Sequence, residues 1–161
     1  MKLKLNDIIS TVIDNRGKNP PYYVKNGIPV IDNYLICNNY YPNLKAVNRC
    51  IDEETYNNFI RMKTIKDDVL LTLVGNGLGR CCLSPMNTII IQNTIGLRCN
   101  YNIMLQKFLY YTLITKLNII KGMNRGASQP SAKISDVLSL EINVPNLFTQ
   151  QHIVDSIINI L

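Results

Sequence analysis

At 161 residues, with 47% apolar content and a mean hydropathy of +0.03, the chain is long enough for one domain with a real core and too apolar to be mostly disordered. No run of about 18 uncharged apolar residues is present, and the charged start, Met1 to Asp7, leads into no long apolar stretch, so neither a membrane span nor a signal peptide is expected and a cytoplasmic location follows. The net charge of +6 is unevenly placed: between Asp68 and Asp136 there is no Asp or Glu, while Arg80, Arg98, Lys107, Lys116, Lys121, Arg125 and Lys133 are all cationic, which points to a polyanion, most simply the phosphates of nucleic acid.

Residues 3–10 read as a short cap and turn. A strand near 11–14 follows, and then a polar Gly/Pro tip, Asn15-Arg16-Gly17-Lys18-Asn19-Pro20-Pro21, whose two cations suit phosphate or a base edge. Residues 27–32 give a second short strand and 38–48 an Asn- and Tyr-rich loop. Asp52 has the character of a helix N-cap, with Glu53 and Glu54 in the first turn and Ile51 and Tyr56 spaced as a hydrophobic staple; this helix is expected to run through Phe59 and Ile60. Residues 65–72 read as turn then strand. The glycine turn Gly75-Asn76-Gly77-Leu78-Gly79-Arg80 leads to a strand over 81–83, and a buried β run is expected over 88–91 with a further strand over 95–98.

Asn102 is expected to cap the longest helix, with Leu105, Phe108, Leu109, Thr112, Leu113, Leu117 and Ile120 buried and Gly122 at its C-terminal end. The loop 122–133 carries two glycines, small polar residues and the cations Arg125 and Lys133. In 138–144, Leu138, Leu140, Ile142 and Val144 alternate with Ser139, Glu141 and Asn143, the period of a half-buried strand that Pro145 ends. From Thr149 the period becomes helical, and Ile153, Val154, Ile157, Ile158 and Leu161 form one apolar stripe. The five cysteines, Cys37, Cys50, Cys81, Cys82 and Cys99, have spacings that suit neither zinc nor a disulfide framework and are expected to be buried, reduced thiols.

Asn19-Pro20-Pro21-Tyr22 matches the catalytic tetrapeptide of adenine-N6 methyltransferases, which makes a fragment of such an enzyme the alternative reading. Against it, a methyl-donor site needs strand, glycine loop, helix and a later acid for the ribose, whereas Gly75-x-Gly77-x-Gly79 runs into the strand-like Arg80-Cys81-Cys82 with no acid until Asp136. The single histidine, His152, permits no Ser-His-Asp set and no His-rich metal site. No catalytic residue and no metal site are expected. Side chains of the kind that read bases or hold phosphates fall on loops at Arg16, Lys18, Asn33, Asn76, Arg80, Asn93, Arg125, Ser128, Gln129 and Lys133, and the sequence does not divide them between the two tasks. A protein-interaction module without DNA contact is a third reading.

Three motifs in order carry a resemblance: the loop Gly126-Ala127-Ser128-Gln129-Pro130-Ser131, the alternating strand, and Pro145-Asn146-Leu147-Phe148-Thr149-Gln150-Gln151-His152-Ile153 opening a helix. Together with Gly27-Ile28-Pro29 and the run Phe108 to Leu113, they resemble the DNA-specificity subunits of type I restriction-modification systems. Thr149-Gln150 stands where that family usually has Glu-Gln, and Asp67-Asp68 where it usually has Gly-Asp. The resemblance implies an α+β target recognition domain over 1–146, of short strands and two main helices, followed by the start of a spacer helix over 147–161. It implies a non-catalytic chain that reads one half of a split target in double-stranded DNA. Modification (methyltransferase) subunits, which bind S-adenosylmethionine, and a restriction subunit would be its partners; the chain itself takes no cofactor. Two copies are expected to pair through Ile153, Ile157 and Leu161.

Overall fold

The computed structural model describes residues 1–160; Leu161, assigned above to the helix-pairing stripe, lies outside the described residues. In chain order the elements are β1 (Lys2–Lys4), α1 (Leu5–Ile8), β2 (Ile9–Ile13), β3 (Ile28–Pro29), β4 (Cys50–Ile51), α2 (Glu53–Asn58), β5 (Val69–Thr72), β6 (Cys81–Leu83), β7 (Thr94–Cys99), α3 (Gln106–Thr115), α4 (Leu117–Gly122), α5 (Ile134–Leu138), β8 (Glu141–Asn143) and α6 (Leu147–Ile158). The α+β class expected from the sequence is the one observed.

The centre is a four-stranded antiparallel sheet in the order β2-β7-β5-β6. Val69-Leu70-Leu71 of β5 and Cys81-Cys82-Leu83 of β6 read as unbroken apolar runs because both faces are covered there. Val69, Leu71, Cys81, Ile95 and Leu97 join a cluster with Leu109 and Leu113 of α3, whereas Leu70 and Cys82 join Ile13, Ile31 and Ile36 in a second cluster. A third cluster, Val30, Ile51, Ile60, Ile89 and Ile91, fills the space under α2 and the small β3–β4 ribbon. Asp52 caps α2 as its position suggests, accepting from Thr55 N at 2.8 Å, and Ile51 and Tyr56 share the third cluster. That helix ends at Asn58, short of Phe59 and Ile60.

Several expectations are corrected. The strand read over 138–144 is only Glu141–Asn143, paired antiparallel with β1 (Leu3↔Ile142). Its N-terminal part is instead the end of α5, because Lys133 O accepts from Asp136 N and Val137 N and closes a helical turn. Leu140, Ile142 and Val144 are buried as the alternation required, so the burial period was right and the backbone was not. Asn102 does not cap α3: the helix starts at Gln106, and α6, at 12 residues, is longer than α3, at 10. Lys116 breaks the expected single helix into α3 and α4, and Gly122 is the last residue of α4 rather than the residue after it. Residues 88–91 are buried but form only an isolated parallel bridge, Val30↔Ile89. Among the cysteines, Cys81, Cys82 and Cys99 are buried, and burial pushes the Cys81 and Cys99 thiols up to about 12. Cys37 is exposed and Cys50 half-buried, because both sit on loops or edges outside the sheet's core.

The last helix is fastened to the body by one polar side chain. Gln150, fully buried, accepts from Leu105 N at 2.8 Å and donates to Ile103 O at 2.9 Å and Pro145 O at 2.8 Å, and so completes the start of α3 from the side. Asn146 caps α6 by accepting from Thr149 N. Val154 is buried and Ile153 packs against the same core, so the stripe expected to seek a second chain is partly spent within its own.

Candidate nucleic-acid interface

Three loops meet beyond the end of β5. The chain leaves β5 through Leu73 and Val74 and enters the glycine turn. There Gly75 N donates to Pro130 O at 2.8 Å, Ala132 N donates to Leu73 O at 3.0 Å, and Val74 bridges Ser131. The glycine turn and the 126–131 loop, joined between Gly75 and Pro130, 55 residues apart in sequence, are thus stitched together by backbone. Asn124 shapes the second loop, its Oδ1 accepting from Gly126 N and Ser131 N, both at 2.9 Å. Gly126 has to be glycine, since a Cβ there would lie 1.7 Å from Gln129 O.

The third loop carries the 3-10 turn Asn33–Leu35. Arg49 forks onto Asp32 just before it (2.9 and 2.6 Å) and stacks 4.6 Å over the Tyr23 ring, and this fork holds the guanidinium's pKa above its ordinary value. Tyr34 Oη donates to Ala46 O at 2.9 Å and accepts from Asn48 N at 3.2 Å. The result is one polar concavity of about 370 Å³ lined by Asn33, Tyr34, Gly75, Asn76, Gly77, Arg80 and Gln129.

Four of the sequence-predicted residues, Asn33, Asn76, Arg80 and Gln129, therefore share one place. The other six do not line it. Arg16 is forked onto Asp14 (2.9 and 3.0 Å); burial works against that carboxylate, but the hydrogen bonds and charge of Arg16 outweigh it and hold the carboxyl below its ordinary value. Lys18 is exposed on the tip beside it. Asn93, in the left-handed region at φ 63°, serves the scaffold by accepting from Leu73 N and Val74 N through its carbonyl. Arg125 is exposed but paired with Asp136, Nη2 to Oδ1 at 2.9 Å, beside a separate cleft formed with Met123 and Ser139. Ser128 and Lys133 are exposed along the same loop.

The charge count from the sequence also needs correction. Arg98 is not available to a polyanion: it pairs with the fully buried Asp68 at 2.7 Å. Lys107 sits 5.8 Å over the Tyr40 ring. The acid-free stretch found its acids at its two ends, Asp68 and Asp136, because folding brings them back across the segment. Tyr34 and Arg49 were missed by sequence reasoning. No local pattern marks them, since their positions depend on contacts with residues 12 to 17 away.

The alternative enzymatic reading has no support in this geometry. The Gly75–Gly79 turn closes an antiparallel hairpin between β5 and β6 instead of joining a strand to a helix. Tyr22 Oη donates to the capping carboxylate of Asp52 at 2.7 Å. Among the described residues no group of three or more His, Cys, Asp or Glu side chains gathers as metal ligands do, and no helix is long and apolar enough to cross a membrane.

No curated protein sequence matches the chain significantly. Solved structures do. It is similar to the S subunit of a type I restriction-modification system from M. genitalium (17% identity, TM-score 0.70, 97% of this chain and 37% of that one). It is similar to a chain from a study of complex assembly and conformational transition of the type I R-M system (16% identity, TM-score 0.76, 99% and 37%). A third similar structure is the HsdS subunit from Thermoanaerobacter tengcongensis (16% identity, TM-score 0.74, 99% and 36%). The chain thus spans little more than a third of the length of each, and at these identities the likeness is one of fold. Residues 1–160 match the model of the type I restriction modification DNA specificity domain, and the chain belongs to that family.

Proposed function

We propose that the chain is a sequence-specific DNA-binding domain, one target recognition unit of a type I restriction-modification system, which reads one half of a bipartite target in double-stranded DNA and positions modification and restriction subunits. The observation that carries this reading is the convergence of Asn33, Asn76, Arg80 and Gln129 on one polar concavity in a chain of this family. The domain itself does no chemistry; S-adenosylmethionine is bound by the modification subunit, and the complex works in the cytoplasm. Arg80, Lys133 and Lys18, exposed and without an ion-pair partner among the described residues, supply the phosphate-directed charge.

Binding to random duplex DNA is expected to weaken steeply as salt rises, because each phosphate neutralised releases counterions. Arg80→Ala and Lys133→Ala should each lower the salt slope by about one unit. Fluorescence anisotropy at several salt concentrations measures it, and binding that ignores salt would refute the proposal. Arg125→Ala should have a smaller effect on the slope, since Asp136 already offsets its charge.

Two copies pair through α6. Ile157 is half-buried, Ile158 is 43% exposed and Ile160 84%, and Ile158 borders an apolar groove with Tyr40, Lys107 and Tyr111. Light scattering at tens of micromolar should give a dimer, and Ile157→Asp with Ile158→Asp a monomer; a monomeric wild-type chain overturns the pairing.

A further inference from the structure

The concavity between the three loops has a chemical character that membership of a DNA-binding family leaves unspecified. Asn33 and Gln129 converge over Gly75: a Cβ on that glycine, whose φ is +98°, would lie 3.3 Å from Asn33 Nδ2 and 3.7 Å from Gln129 Nε2. Tyr34 adjoins them, 47% exposed, with its hydroxyl already committed to Ala46 O and Asn48 N, so the ring is held in place and only its apolar surface is free. Arg80 and Asn76 complete the lining, and no Asp or Glu contributes to it.

Availability separates these side chains from similar ones elsewhere. Among the described residues, none of Asn33, Asn76, Arg80 and Gln129 makes a side-chain hydrogen bond or ion pair within the chain. By contrast Arg16, Arg49 and Arg98 are forked onto carboxylates, and Asn15, Asn124, Gln106 and Gln150 are bonded to backbone groups. Neutral carboxamides are poor phosphate ligands beside a lysine or arginine. A carboxamide does present one donor and one acceptor at the spacing of adenine N7 and N6, while an apolar surface suits the thymine methyl beside it in the major groove.

We propose that this concavity reads one A·T base pair from the major groove, with Gln129 and the adjacent Asn33 on the adenine edge and the Tyr34 ring against the thymine methyl, while Arg80 holds the neighbouring backbone phosphate. This assignment rests on the reading of the chain as a DNA-specificity domain. Arg49 is then a positioning residue: by clamping Asp32 it fixes the turn that carries Asn33 and Tyr34.

The test is selection of preferred sequences from a randomised duplex library by the wild-type 161-residue chain and by Gln129→Glu. The carboxylate keeps the length of the side chain but replaces its NH₂ donor with an acceptor, so adenine N7 loses its partner and the N4 amino group of cytosine becomes the better match. The expected result is a loss of adenine preference by about tenfold or more at one position, with a shift towards cytosine there and no change at the others. In the selected site, replacing the paired thymine by deoxyuridine removes only the methyl group and should weaken wild-type binding about three- to fivefold.

If Gln129→Glu lowers affinity uniformly and leaves the preference profile unchanged, Gln129 touches backbone or supports the loop, and the base-pair assignment falls while the DNA-binding reading stands. A wild-type chain that enriches no sequence overturns the DNA-specificity reading and this assignment with it.

Discussion

Replacing Arg98 by Met is expected to destabilise the domain by about 3 to 5 kcal/mol, close to the whole stability of many small domains. The register of β5 on β7 pairs Val69 with Leu97, which sets Asp68 beside Arg98. The guanidinium forks onto the carboxylate, Nε to Oδ1 at 2.9 Å and Nη2 to Oδ2 at 2.7 Å, and Oδ2 also accepts from Ile65 N at 2.8 Å. Asp68 has no exposed surface, so removing the cation leaves a buried carboxylate with a single backbone donor. The partners behave asymmetrically: Arg98 keeps 22% of its side-chain surface exposed and Asp68 keeps none, so Arg98→Met costs more than the pair is worth. A double variant, Arg98→Met with Asp68→Leu, should recover more than half of the loss, because it removes the orphaned charge. Urea unfolding followed by circular dichroism measures all three proteins. A single variant within about 1 kcal/mol of wild type would show that the pair is not closed off from water as described.

Gln150→Ala should cost roughly 2 to 4 kcal/mol and act locally as well as globally. The side chain serves three backbone groups, Leu105 N, Ile103 O and Pro145 O. Deleting it leaves these groups without partners in a site that has no exposed surface at Gln150. The same deletion loosens α6 from the start of α3, so hydrogen exchange should accelerate along α6 and at residues 103–105 before it does in β5 and β7. Equal acceleration everywhere would mean that α6 opens only with the whole domain. Thr149 is exempt from this effect, because its backbone N–H meets the Asn146 cap and does not depend on Gln150.

Burial was more legible than backbone state. The apolar spacing of Leu140, Ile142 and Val144 correctly placed them in the core, yet the segment before them folded as α5 because a helical turn and a strand can bury the same few side chains. The helical stretch from Gln106 to Gly122 was visible in its apolar period, but neither the start of α3 nor the break at Lys116 was. Asn102 looked like the cap, whereas the N-terminal group of the helix, Leu105 N, is satisfied by Gln150 from the far end of the chain. The charge pattern misled for a related reason: the count treated Arg98 and Arg125 as free, and folding gave each a carboxylate from a distant point in the sequence.

By itself the sequence determined the family, the α+β class, the cap on α2 and the glycine turn, because these rest on local chemistry: which residues cap, turn, alternate or repeat at a fixed spacing. It also offered side chains of the kinds that can read DNA. Only the tertiary structure decided which of them stand together. Asn33, Asn76, Arg80 and Gln129 meet because Gly75 hydrogen-bonds to Pro130 and because Arg49 clamps Asp32, contacts spanning 55 and 17 residues. Proximity of that kind is set by strand register and loop docking, which summed packing energy fixes and no short window of sequence encodes.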